Sequence, residues 1–122
     1  MGRVTVEFEL SNYADMLLQE AGYRDHVRRV TLCGVIDTSV MKLVLPRSVC
    51  ETVGLPVSER SIVRDAHVAF NWRGGVFSAI VEPSRSDAVI GAIVMGDLDM
   101  IVDDSGQKVI TRDPDHILTE LE

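Results

Sequence analysis

Apolar and polar residues alternate along much of this chain, which indicates β-structure. Residues 3–10 alternate as a half-buried strand does, and residues 27–36 are rich in β-branched side chains. A further apolar run over residues 41–45 ends at Pro46. The pattern therefore predicts a domain made mainly of short strands.

Turn-forming residues separate two more pairs of apolar segments in the second half of the chain. Residues 68–72 and 76–81 flank Arg73-Gly74-Gly75, a combination that predicts a β-hairpin. Asp104-Ser105-Gly106-Gln107 lies between two short apolar runs and is typical of a turn between strands.

Few segments of the chain suit a helix. Pro46 is at a favoured first helical position and Gly54 would end the helix, so a helix is expected over residues 47–53. Residues 13–21 have helical propensity and end at Gly22, but the same residues also suit an extended connection.

Asp37 interrupts the apolar pattern at the point where residues 27–36 give way to the next run. Burying a carboxylate costs free energy unless the group is hydrogen-bonded or used in chemistry. Its place between two strand-like segments predicts a tight turn that presents the carboxylate at the floor of the core.

The segment Val35-Ile36-Asp37-Thr38-Ser39 resembles the active-site loop of retropepsin-like aspartic proteases, in which Asp-Thr or Asp-Ser is followed by glycine. The resemblance extends over most of the chain and matches the small bacterial members with a single lobe. It is supported by three motifs and two longer segments: Gly2–Phe8, Gly54-Leu55-Pro56, Val89-Ile90-Gly91-Ala92, residues 47–53 and residues 97–103.

This resemblance implies an all-β fold with one or two short helices, arranged as a closed or partly open acid-protease barrel. A short helix within residues 88–95 would fit it, and Gly91 would permit another backbone to come close. At 122 residues the chain is too short for a two-lobed enzyme, so a pair of carboxylates would come from two chains.

The resemblance also implies a homodimeric aspartic peptidase that acts on peptides or proteins. Asp37 of each subunit would activate water, Thr38 would brace the two loops, and Ser39 would supply an amide and a hydroxyl to the pair. No metal or organic cofactor is needed for this chemistry.

Several residues keep a second hypothesis open, that of an inactive dimer that binds a peptide or a protein. Ser39 replaces the glycine of the motif, and Val40 and Met41 replace the small residues usual there. Residues 57–67 contain no glycine and are few for a mobile flap over the cleft. Asp104-Ser105-Gly106 also has the form of the motif, but polar Gln107-Lys108 follow it directly where the motif has an apolar strand arm, which favours a turn.

Composition and hydropathy limit the kinds of ligand, cellular location and domain organisation that this chain can have. A net charge of −7 is unsuited to nucleic acid, which requires clustered basic residues. The sequence shows neither a leader peptide nor a membrane helix, which predicts a cytoplasmic protein that does not bind membranes. We expect one domain over residues 1–112 and an acidic tail over residues 113–122.

The spacing of cysteine and histidine residues does not suggest a metal or redox site. Cys33 and Cys50 are not in a CxxC arrangement, and both are expected to be buried free thiols. His26, His67 and His116 have no partner at the spacing of metal ligands.

Overall fold

The structure is a computed structural model and describes residues 4–70, 73–103 and 108–111. Within these residues the chain forms eight strands and three short helices. In chain order they are β1 (Thr5–Asn12), α1 (Tyr13–Glu20), β2 (Arg29–Ile36), β3 (Leu43–Pro46), α2 (Arg47–Thr52), β4 (Ile62–Phe70), β5 (Arg73–Glu82), β6 (Ala88–Ile90), α3 (Ala92–Asp97), β7 (Met100–Asp103) and β8 (Lys108–Thr111).

Six of the strands close into a barrel in the order β1-β2-β6-β3-β5-β4, with β4 hydrogen-bonded back to β1. Strands β7 and β8 pair with each other in a separate antiparallel sheet. The prediction of a single, mostly β lobe is confirmed, with three short helices around it. Closure leaves the barrel without an exposed edge strand.

The core lies inside the barrel and is filled by one face of each strand. In β5, buried residues alternate with exposed ones from Phe77 to Glu82, as the two-residue period of a strand requires. Leu10, Leu43, Leu45 and Ile90 are almost completely buried in this core. Burial of each such side chain contributes roughly 1.5–3 kcal/mol to folding.

Residues 13–20 form a helix and not the alternative extended connection. The Asn12 side chain accepts a hydrogen bond from the Asp15 amide at 3.0 Å, which caps the first turn. At the other end Gly22 has a φ of 86°, and the Tyr23 amide donates to Leu18 O at 2.8 Å. These bonds satisfy backbone groups that a short helix otherwise leaves unpaired.

The hairpin predicted at Arg73-Gly74-Gly75 is displaced by two residues. Phe70 pairs with Arg73, so all three of these residues belong to strand β5. Gly74 serves close packing, because a Cβ there would lie 2.9 Å from Cε1 of His67. The connecting residues 71–72 lie outside the described residues.

The expectation for the cysteines is confirmed in part, and those for the turn at Asp104 and for the acidic tail are not tested. Cys50 is buried as predicted, but Cys33 is exposed, because its side chain is on the outer face of β2. Residues 104–107 and 112–122 lie outside the described residues, so the turn at Asp104 and the boundary of the acidic tail remain predictions.

Candidate active site

The loop of residues 37–42, which we call the Asp37 loop, rests against the start of α3. The amide of Asp37 donates to Ile90 O at 3.1 Å, and the amides of Ala92 and Ile93 donate to Val40 O and Met41 O at 2.8 and 2.9 Å. These backbone bonds fix both ends of the loop against one short segment of the chain.

Gly91 allows this close approach. A Cβ at position 91 would lie 2.6 Å from Val40 O and would also collide with Lys42 O. Any larger residue would push the Asp37 loop away from α3. The expectation that Gly91 permits another backbone to come close is therefore confirmed.

The Asp37 carboxylate is exposed and held by Ser39. The Ser39 amide donates to Asp37 Oδ1 at 3.1 Å, and the Ser39 hydroxyl donates to the same oxygen at 2.5 Å. Thr38 is also exposed. The loop thus presents a carboxylate at the surface of this chain, where a second molecule can reach it. The expectation that Asp37 lies at the floor of the core is wrong, because the residue follows the end of β2 in an exposed loop.

Five apolar residues form a row across the outer face of the barrel, which we call the outer row. Strand pairing joins them in sequence: Val35 to Val89, Val89 to Val44, Val44 to Ile80, and Ile80 to Ile62. None of the five is in the cluster of side chains that fills the barrel, although Val44 and Val89 are themselves buried. Val44 and Val89 are 9% and 8% exposed, and Ile80 is 37% exposed.

Asp37 lies next to one end of the outer row. Asp37 directly follows Ile36, the last residue of β2, and Val35 is the strand residue before Ile36. The Cα atoms of Val35 and Asp37 are two residues apart in the chain and therefore at most roughly 7 Å apart. A chain bound along the row would therefore pass close to the carboxylate.

Exposed apolar side chains also surround the Asp37 loop on the side of α3. Met41 is 61% exposed, and Ile93, whose amide bonds to Met41 O, is 43% exposed. Thr38 and Ile101 contribute to the lining of a neighbouring cavity of about 360 Å³. We call Met41, Ile93 and Ile101 the loop-side patch.

The chain between α2 and β4 contains no strand, and it forms a compact turn. The Ser58 amide donates to Ile62 O at 2.9 Å, and the Ser61 amide donates to Ser58 O at 3.0 Å. The Ser58 hydroxyl also accepts from the amides of Arg60 and Ile62 at 3.3 and 3.2 Å. This agrees with the expectation that the segment is too short for a flap.

The longer hairpin of β4 and β5 is not free to act as a flap in its place. Strand β4 is hydrogen-bonded to β1 from Ala66 to Ala69, and β5 is paired with β3 from Ala79 to Glu82. Both arms of the hairpin are therefore parts of the barrel wall.

A buried carboxylate that the sequence analysis did not single out lies away from the Asp37 loop. Asp15, in α1, is 1% exposed and is ion-paired with Arg24 and Arg28. The Arg28 backbone amide and guanidinium hold its oxygens at 2.8–3.0 Å. Hydrogen bonds from Arg28 hold the pKa of Asp15 well below its usual range, although burial opposes this. The only sequence signal was an acidic residue in a helix followed by two arginines.

The described residues contain no group of three or more histidine, cysteine, aspartate or glutamate side chains that could hold a metal ion. Among the helices of the described part, none has both the length and the apolar character needed to span a bilayer.

Comparison with known proteins supports the architecture through structure alone. No family model matches the sequence, and no curated protein matches it. Among solved structures, the chain is similar to the retroviral protease-like domain of Ddi1 from Leishmania major, with a TM-score of 0.51 and 14% identity, over 67% of this chain and 79% of that one.

A retropepsin-like aspartic protease from Rickettsia conorii gives the same TM-score of 0.51 at 8% identity, over 84% of this chain and 88% of that one. At these identities the likeness establishes the fold, which is the one that the residues around Asp37 predicted. The chain has a retropepsin-like fold.

Proposed function

We propose that this protein is a homodimeric aspartic peptidase in which Asp37 of each subunit forms half of the catalytic pair. The observation that carries the proposal is the Asp37 loop itself. Its carboxylate is exposed, oriented by Ser39 and fixed by backbone bonds to α3 in a retropepsin-like fold.

Dimerisation is required because one described chain supplies only one such loop. A two-fold axis beside the loop would bring Asp37 against its own copy, as symmetric interfaces do. The loop-side patch supports this, since Met41 and Ile93 expose apolar surface next to the loop. Thr38 would reach the partner's loop from the same edge.

The reaction would be hydrolysis of a peptide bond without a metal. One carboxylate of the pair removes a proton from a bound water, while the other, protonated, polarises the carbonyl oxygen. The hydroxyl oxygen adds to the carbonyl carbon, a proton passes to the amide nitrogen, and the C–N bond breaks. Two like charges in contact favour this shared-proton state.

The outer row supports a peptide or protein as the substrate. Val35, Ile62 and Ile80 of this row are at least partly exposed and offer apolar surface near the carboxylate, whereas Val44 and Val89 are buried. The described chain places no flap above the row. We therefore expect cleavage next to apolar residues, by an enzyme whose cleft stays open. The cytoplasmic location remains a prediction from the sequence.

Two observations favour the second candidate, an inactive dimer that binds a peptide or protein segment. Ser39 occupies one oxygen of the carboxylate, and the turn at Ser58 cannot close over a substrate to exclude water. The outer row would then serve binding alone.

Cleavage of a diverse peptide library from acidic to neutral pH separates the two candidates. We would compare the wild-type protein with Asp37→Asn and use Asp25→Asn, a change at an exposed residue, as the matched control. Light scattering would record the dimer in each sample. The proposal expects activity that Asp37→Asn removes and Asp25→Asn keeps, whereas a confirmed dimer with no cleavage would favour the binding role.

A further inference from the structure

We propose that the hydroxyl of Ser39 is a positioning group for the Asp37 carboxylate. A glycine at position 39 would offer only its backbone amide, whereas serine adds the hydroxyl as a second donor. The inference rests on the proposed peptidase function of Asp37. It assigns to Ser39 a role that follows from its side chain and not merely from its small size.

The geometry points to positioning because two donors of one residue converge on one oxygen. The amide and the hydroxyl of Ser39 lie 3.1 and 2.5 Å from Asp37 Oδ1. A single donor leaves a carboxylate considerable freedom to rotate, whereas two donors from different directions restrict it. The shorter bond lies within the range of charge-assisted O–H···O⁻ bonds.

The exposure of the site makes this restraint important. Asp37, Thr38 and Ser39 are all exposed, so close packing does not hold the carboxylate in place. Correct orientation of a reacting group is a large part of catalysis, and a small misplacement slows the reaction. In an open cleft, hydrogen bonds must supply that orientation.

The same geometry shows how serine fits where the motif has glycine. The Ser39 hydroxyl is directed at Asp37 Oδ1, and neither donor of Ser39 is bonded to Oδ2. Ser39 therefore restrains the carboxylate through one oxygen and does not compete for the other.

Kinetics of three variants test the proposal. Ser39→Ala removes the hydroxyl and keeps the Cβ, Ser39→Thr keeps a hydroxyl, and Ser48→Ala makes the same chemical change at an exposed position on α2. We expect Ser39→Ala to lower kcat roughly tenfold with KM changed less than about twofold. Ser39→Thr should restore most of the lost kcat, and Ser48→Ala should leave both constants unchanged.

Two kinetic outcomes would overturn the proposal. If Ser39→Ala were as active as the wild type or more active, the hydroxyl would be dispensable or would obstruct the site. If Ser39→Thr were as slow as Ser39→Ala, the serine would matter through its size and not through its hydroxyl.

A measurement that needs no activity separates this proposal from the peptidase function. Nuclear magnetic resonance of protein labelled with ¹³C at the aspartate side-chain carboxyls follows the titration of Asp37. The signal of Asp37 is assigned as the one that is missing in Asp37→Asn. Loss of a donor to the charged form should raise the midpoint of this titration in Ser39→Ala and not in Ser48→Ala.

An unmoved midpoint in Ser39→Ala would overturn the positioning role even if the enzyme were active. If the midpoint moves in Ser39→Ala but the wild-type dimer cleaves no peptide, the peptidase function would instead be overturned. Ser39 would then orient the carboxylate of a binding site.

Discussion

Among individual residues, Asp15 and the nearby Asn12 connect α1 to later segments of the chain. Its carboxylate, in α1, receives the guanidinium groups of Arg24 and Arg28, which lie beyond the end of that helix. The neighbouring Asn12 donates from its side chain to Val53 O at 2.9 Å, just after α2. Because these groups are polar and scattered, no periodic pattern in the sequence predicts that they meet.

We expect Asp15→Asn to lower the free energy of unfolding by about 2 kcal/mol. The amide cannot replace charge-assisted hydrogen bonds to two guanidinium groups, although both arginines are partly solvated and recover some hydration. Urea unfolding followed by circular dichroism measures the change. Asp25→Asn, at an exposed position, is the control and should stay within about 0.5 kcal/mol of the wild type.

The same residue predicts how stability depends on pH. The pKa of Asp15 is lower in the folded protein than its ordinary value of 3.8, so its stabilising contribution is complete above that value. The contribution is lost as pH falls below about 4 toward the folded pKa. Asp15→Asn should therefore show a shallower loss of stability in acid, and equal slopes for the two proteins would contradict this account.

At the element scale, the Asp37 loop and α3 act as one unit. The loop has no regular secondary structure, yet three backbone hydrogen bonds attach it to residues 90–93. Residues 37–39 and 91 could each be found in the sequence, because Asp-Thr and the apolar-apolar-Gly pattern are local. Their attachment to each other could not, since it depends on the parallel pairing of β2 with β6.

We expect Gly91→Ala to displace the Asp37 loop. The added Cβ meets the carbonyl oxygens of Val40 and Lys42, which are backbone atoms that cannot move aside independently. Stability should fall by about 1–3 kcal/mol, and peptide cleavage should be lost. Thermal unfolding and the peptide assay measure the two effects.

Gly96→Ala is the matched control for this change. Gly96 is a glycine of α3 with open space where its Cβ would be. Alanine there should be neutral or should stabilise the helix by up to about 1 kcal/mol. Equal effects of the two substitutions would show that close approach at Gly91 is not what holds the loop.

At the scale of the whole molecule, the distribution of exposed apolar side chains bears on assembly. The loop-side patch adjoins the Asp37 loop, while Leu17 and Leu18 are exposed on α1. Of these two surfaces, only the loop-side patch is next to Asp37. The proposed function requires Asp37 of one subunit to meet Asp37 of a second, so the loop-side patch is the expected dimer interface.

We expect Ile93→Asp to weaken the proposed dimer at least tenfold without unfolding the chain. Ile93 is 43% exposed and lies in the first turn of α3, where an acidic residue is tolerated. Sedimentation at several concentrations measures the dissociation constant, and cleavage activity should fall in parallel. Leu17→Asp, at a residue 48% exposed on α1, should change neither.

A dimer unaffected by Ile93→Asp, or weakened equally by Leu17→Asp, would contradict the placement of the interface beside the Asp37 loop. Loss of the dimer with full retention of cleavage would contradict a pair of carboxylates shared between two subunits.

Local patterns in the chain predict the mostly β architecture, the motif around Asp37 and the glycines that end helices or allow close approach. Each depends on local patterns, which are the alternation of apolar residues, a carboxylate between strands and the freedom of glycine. The helix at residues 13–20 was left open, because its cap and its buried ion pairs depend on Arg24, Arg28 and the end of α2.

The arrangement of these parts relative to one another is visible only in the folded chain. The hairpin follows Phe70 and does not lie at the predicted Arg73-Gly74-Gly75, because strand register, and not the local Gly-Gly sequence, sets where the chain reverses. The outer row exists because pairing aligns residues from five strands that are far apart in sequence. Relations of this kind arise when the barrel closes, since closure brings together side chains that no local pattern connects.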